Sequence, residues 1–154
     1  MRTQRKALMT ARSIYMNFAL KLREQGLGSE TAIVIGSGIL NALGIRESKD
    51  IDLVVTPEEY VRLSSRVQFK KEEYRGRVLL RDDLFEIGTE WGVLGKNLSF
   101  GDLLTDTCVI DGVRYITPEF LLSVKQSWEK AGEAREKDLA DIALIEAHLA
   151  RGST

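Results

Sequence analysis

Apolar side chains at Ala7, Leu8, Ala11, Ile14, Tyr15, Phe18, Ala19 and Leu22 recur at helical spacing, which predicts an amphipathic helix at the start of the chain. Gly26 and Gly28 supply its stop. The period then changes. Residues 31–36 read TAIVIG, a short β-branched run expected of a buried strand. Residues 37–44, SGILNALG, fit a short helix opening at a Gly-Ser turn, and residues 50–55, DIDLVV, fit the next strand. Thr56, Pro57 and Glu59 mark a further helix start, with a hydroxyl cap, a proline at the first helical position and a capping-box glutamate. Residues 67–91 read as strands broken at Arg75-Gly76 and at Asp82-Asp83. VIDGVRYI, residues 109–116, is a hairpin candidate turning at Asp111-Gly112. Thr117-Pro118 opens a helix to about Lys130, Gly132 breaks it, and a last helix runs from about Glu133 to Ala150.

The order is helix, strand, helix, strand, helix, several strands and two helices. It predicts an α+β fold, a mixed sheet with helices packed on it and a C-terminal helical pair. The chain of 154 residues suits one domain. We divide it into an N-terminal helix (1–28), an α/β core (31–116) and C-terminal helices (117–150).

Composition removes several functions. Net charge is -1, so no global field recruits nucleic acid or a membrane. Cys108 is the only cysteine and His148 the only histidine, which excludes an internal disulfide and a Cys/His zinc cage. No apolar run approaches the ~18 residues of a membrane span. The basic N-terminus lacks a signal peptide's apolar core and cleavage site. A cytoplasmic protein is expected, consistent with one free thiol.

Two small patterns carry the chemistry. Gly36-Ser37 turns the chain into a helix, where free backbone N–H groups favour anions. Asp50 and Asp52 then lie two residues apart on the following strand and so face the same way. Two carboxylates at that spacing either begin a solvated strand or converge on a hard cation such as magnesium. The glycines do not complete a dinucleotide fingerprint, because Asn41 stands where the third glycine belongs. No Gly-Lys-Ser/Thr is present either. Arg46 and Lys49, just before the pair, either steady phosphates or decorate a loop.

Gly36-Ser37, a short helix, and then Asp50-Ile51-Asp52 resemble the polymerase-β-like nucleotidyltransferase superfamily. That family draws a third carboxylate from a neighbouring strand. The stretch LFEIGTEW offers Glu86 or Glu90 on one face, and Glu86, between Phe85 and Ile87, is preferred. The C-terminal stretch resembles the abortive-infection (type IV toxin) nucleotidyltransferases. Lys125 and Lys130 match a lysine helix of that subgroup, and Lys137, Asp138 and Asp141 match a later Lys-Asp-x-x-Asp helix. Asp138 and Asp141 would otherwise pair locally with Arg135 or Lys137.

The resemblance implies transfer of an NMP from an NTP to a hydroxyl on RNA, a protein or a small molecule. It implies two Mg2+ ions on Asp50, Asp52 and Glu86, with Gly36 and Ser37 seating the phosphates. Lys125 would reach the triphosphate from the edge of an apolar helix face. It also implies an antitoxin-like protein partner. A nucleotidyltransferase-fold module that binds a nucleotide or a partner without turnover is the alternative.

Overall fold

A polar cap and an apolar stripe make the first described helix, α1 (Phe18–Glu24). Asn17 accepts a hydrogen bond from the Leu20 N–H at 3.0 Å, and Phe18 and Leu22 are buried. The computed structural model describes residues 15–152, so the predicted helical positions before Tyr15 lie outside the described residues.

The β-branched runs become the centre of a seven-stranded mixed sheet. Its strands are β1 (Ala32–Ile35), β2 (Ile51–Val55), β3 (Lys70–Tyr74), β4 (Arg77–Arg81), β5 (Phe85–Gly88), β8 (Thr107–Ile110) and β9 (Val113–Ile116). Their order across the sheet is β3-β4-β5-β2-β1-β9-β8. β2 runs parallel to β5, and β1 parallel to β9. The other pairs, β1–β2, β3–β4, β4–β5 and β8–β9, are antiparallel. Ala32, Ile33, Val34, Leu53, Val54 and Val55 are buried at the centre. A strand covered on both faces has no polar side, so these runs read as nearly continuous apolar stretches. By contrast every residue of β3 is exposed, and this edge strand carries Lys70, Lys71, Glu72 and Glu73. Charged edges of that kind discourage pairing with other chains.

The hairpin turns fall at Arg75-Gly76 and Asp111-Gly112, as expected, and also at Leu94-Gly95. Both residues of each turn have positive φ, the type I′ geometry whose twist suits a two-residue hairpin. Asp82 makes the other expected break, accepting from the Leu84 and Phe85 N–H groups at 2.9 and 2.6 Å. The LFEIGTEW stretch is not one strand. β5 ends at Gly88, and β6 (Glu90–Val93) pairs only with β7 (Lys96–Ser99) in a separate ribbon. Arg77 ties this ribbon to β4: its guanidinium donates to the Glu90 carbonyl at 3.1 Å and to Asn97 Oδ1 at 2.5 Å. Glu86 and Glu90 therefore do not share a strand face.

Helices cover the sheet. α2 (Gly38–Ala42) lies so close to β1 that a Cβ on Gly38 would come 2.3 Å from Val34 Cγ1, so only glycine fits there. α3 (Pro57–Ser64) is capped by Thr56, which accepts from the Glu59 N–H at 3.5 Å. The capping box expected there is not closed, because Glu59 binds Arg62 instead. A capping box forms at Ser99 and Asp102, opening the unpredicted α4 (Phe100–Leu103). α5 (Pro118–Lys130) starts at the Thr117 cap, and α6 (Glu136–Gly152) packs beside it as the expected C-terminal pair. α6 begins later than predicted because Arg135 precedes it and donates its N–H to Asp138 Oδ2 at 3.0 Å. Among the described residues, no helix is long and apolar enough to cross a membrane.

Candidate functional site

Strand register builds the first half of the site. Asp52 on β2 stands opposite Glu86 on β5, and Glu86 stands opposite Arg81 on β4. Three charged residues thus form a row across three adjacent strands. Arg81 Nη2 lies 2.9 Å from Glu86 Oε1. Asp50 precedes β2, in the bend before Ile51, and is exposed. It lies just outside the strand on which the sequence placed both aspartates, and its charge acts on Asp52.

The Asp52 carboxyl is pushed up to about 7. Burial is the chief cause, followed by the charge and hydrogen bonding of Glu86 and the charge of Asp50. The negative charge of Glu86 beside it thus favours the protonated form of Asp52. A hard divalent cation can replace that proton and remove the repulsion. Among the described residues, no group of three or more His, Cys, Asp or Glu side chains is gathered to hold a metal ion. A cage made wholly by the protein is therefore absent there. The Asp52–Glu86 pair fits magnesium's usual mode, in which one or two carboxylates and substrate phosphates share the ion.

The Gly36-Ser37 turn closes on the same point. Gly36 has φ +64, and a Cβ there would lie 3.1 Å from Asp52 Oδ2. Any other residue would be strained and would crowd that carboxylate. Asn41, noted in the sequence only for breaking a fingerprint, fixes the loop after α2. It is buried, donates to the Met16 carbonyl at 3.1 Å and accepts from the Ser48 N–H at 3.0 Å. Lys49 is exposed in that loop, beside Asp50.

Of the C-terminal motif residues, Lys125, Asp138 and Asp141 meet in a buried charge cluster, whereas Lys130 and Lys137 are exposed. Lys125 Nζ lies 2.7 Å from Asp138 Oδ1 and 3.2 Å from Asp141 Oδ2. Arg46 grips Asp141 with two parallel hydrogen bonds of 2.6 and 2.7 Å. Arg135 binds Asp138, and Ser37 Oγ donates to Asp141 at 3.3 Å. Burial alone would raise both aspartates, but the cationic hydrogen-bond donors outweigh it and hold them below the ordinary carboxylate range.

Lys125 is thus not at the rim of an apolar face with its ammonium in a cleft. It is 3% exposed, and both aspartates hold it in place. Arg46 does not decorate a loop; it ties that loop to Asp141 on α6, to which Ser37 ties the Gly-Ser turn. Asp138 and Asp141 exceed local pairing, because their partners come from α5, from the loop after α2 and from the turn itself.

A cleft of about 540 Å³ opens over the Asp52–Glu86 pair. The β3–β4 hairpin lends it Tyr74, Arg75 and Arg77, and β6 lends Glu90 and Trp91. Trp128, Glu133, Arg135 and Asp138 line it from α5, the α5–α6 link and α6. Carboxylates, guanidinium groups and indoles therefore share a volume typical of small-molecule sites. Arg81 and the hairpin arginines were missed in the sequence. Only the strand pairing brings them to the acidic pair, and no local motif marks them.

No protein-family model matches the chain. No curated protein matches it either. Among solved structures, the chain is similar to the antibiotic-resistance factor ANT(2'')-Ia, described as having substrate-regulated conformation dynamics. The match has a TM-score of 0.53 and 18% sequence identity, and covers 97% of this chain and 86% of the other. At that identity the likeness is one of fold, and the fold is that of a nucleotidyltransferase: an α+β mixed sheet with a C-terminal helical pair.

Proposed function

We propose that this protein is a magnesium-dependent nucleotidyltransferase of the polymerase-β-like superfamily, nearest the abortive-infection subgroup. It would move an NMP from an NTP to a hydroxyl acceptor and release pyrophosphate in the cytoplasm. The observation that carries the reading is the cross-strand pairing of Asp52 with Glu86 beside the Gly36 turn, under a cleft lined with arginines and indoles.

Asp52 and Glu86 would hold Mg2+, Glu86 being the carboxylate that the superfamily draws from a neighbouring strand, with the exposed Asp50 close by. When bound, the metal neutralises phosphate charge as the leaving group departs. Glu86 would take the proton of the acceptor hydroxyl. The Gly36-Ser37 backbone would seat the β- and γ-phosphates. Arg75, Arg77 and Arg135 supply fork-shaped donors suited to phosphate oxygens. Trp91 and Trp128 offer flat faces for a base. Lys125 would act from behind, by fixing Asp138 on the cleft wall. The meeting of Lys125, Asp138 and Asp141 in one cluster supports the subgroup, and with it an antitoxin-like partner.

A nucleotide-binding module without turnover is the competing reading, favoured by the hold of Arg81 on Glu86. Transfer assays separate the two. The protein is incubated with Mg2+, each α-labelled NTP and one acceptor from each class: an RNA 3′ end, a protein and a small hydroxyl-bearing antibiotic. The antibiotic comes first because of the fold shared with a resistance factor. Label should pass to one acceptor class with stoichiometric pyrophosphate. Nucleotide binding with no pyrophosphate from any combination would favour the non-catalytic module.

A further inference from the structure

We propose that Arg81 guards the acidic pair: its guanidinium is paired with Glu86 and must leave before a divalent cation is shared by Asp52 and Glu86. Arg81 then sets the cation concentration at which the site loads. The inference rests on the metal-binding reading of that pair.

Three observations support it. Arg81 and Glu86 are direct cross-strand partners, so the backbone register itself delivers the guanidinium to this carboxylate. Their contact is a close ion pair at 2.9 Å. A second anion waits beside it, since Arg81 Nη1 also lies 3.3 Å from Glu72 Oε1 on the edge strand.

Magnitude decides that this contact is displaceable. The Arg81 and Glu86 side chains are 45% and 33% exposed, and pairs of that kind are weak. The Lys125–Asp138 pair, at 4% and 2%, is the opposite case and stays closed. A guanidinium carries only donors and needs the same carboxylate lone pairs that a cation needs. Its charge also opposes a divalent ion nearby. Release leaves Arg81 on Glu72, so no charge is stranded. Glu72 is therefore the landing point, and its loss should tighten the grip of Arg81 on Glu86.

The test measures Mn2+ binding to the whole protein by electron paramagnetic resonance, with and without a non-hydrolysable NTP analogue. Arg81→Gln should tighten Mn2+ binding about fivefold. Glu72→Ala should weaken it about twofold. Asp52→Asn should abolish it in either background. If Mn2+ binds in an Asp52-dependent way but Arg81→Gln leaves it unchanged or weaker, the guard role is overturned and the metal reading stands. If neither the parent protein nor Arg81→Gln binds Mn2+, the metal reading fails and the guard role falls with it.

Discussion

Replacing Lys125 by Met is expected to destabilise the protein by about 3 kcal/mol, seen as a lower urea midpoint at unchanged slope. Methionine keeps most of the stem's volume, so the loss reports charge rather than packing. Breaking one partner from a buried ion pair typically costs ~3–5 kcal/mol. The lower end applies because Arg135 and Arg46 still hold Asp138 and Asp141. The pH dependence has a definite sign. Both aspartates have folded values below the ordinary range, so their contribution is present above an unfolded value near ~4 and is lost as pH falls. The gap between parent and variant should therefore narrow below about pH 4. A variant as stable as the parent at pH 7 would mean that the cluster adds little to the fold.

Asp52→Asn is expected to lower nucleotidyl transfer on the order of a thousandfold while stabilising the folded chain at alkaline pH. The two effects have one cause. The folded Asp52 value of about 7 lies above the ordinary carboxylate value. Its stabilising contribution is complete below ~4, declines as pH rises, and is gone above the folded value. Asparagine carries no charge and avoids that loss. At pH 8 the variant should be more stable than the parent by about 2 kcal/mol, less than the full shift because Asp52 is only half-buried and solvent screens part of the effect. Below pH 4 the two should melt together. Mg2+ should raise the melting temperature of the parent at pH 8 and leave the variant unmoved. Equal stability at pH 8 would show that Asp52 bears no electrostatic strain.

The elements were legible where local chemistry determines them. Thr117-Pro118 starts a helix by capping, Asp111-Gly112 turns a hairpin through positive φ, and the apolar runs at 32–35 and 51–55 fill the sheet centre. The closeness of the Gly36 turn to Asp52 was legible for the same reason, since both lie within one short segment. What depended on distant pairing was only half legible. Glu86 was chosen for its apolar neighbours, but its position opposite Asp52 comes from a parallel pairing with an α-helix and a hairpin in between. Arg81 carries no mark at all outside that register. Lys125 was read from the edge of its own helix. Its burial is set by Asp138 and Asp141, which only the packing of α6 against α5 brings to it. The stretch after Gly88 reads as a continuing strand because its alternation persists, whereas its pairing with residues 96–99 in a separate ribbon is set outside that stretch.

Calorimetry with a non-hydrolysable NTP analogue tests the central claim most directly. The parent protein and the Asp52→Asn/Glu86→Gln double variant are each titrated at neutral pH, with Mg2+ and then with excess chelator. The account predicts Mg2+-dependent binding to the parent and none to the double variant, whose cold and thermal transitions show it folded. Binding of equal strength to both proteins, or binding indifferent to Mg2+, would contradict a metal–nucleotide site at Asp52 and Glu86.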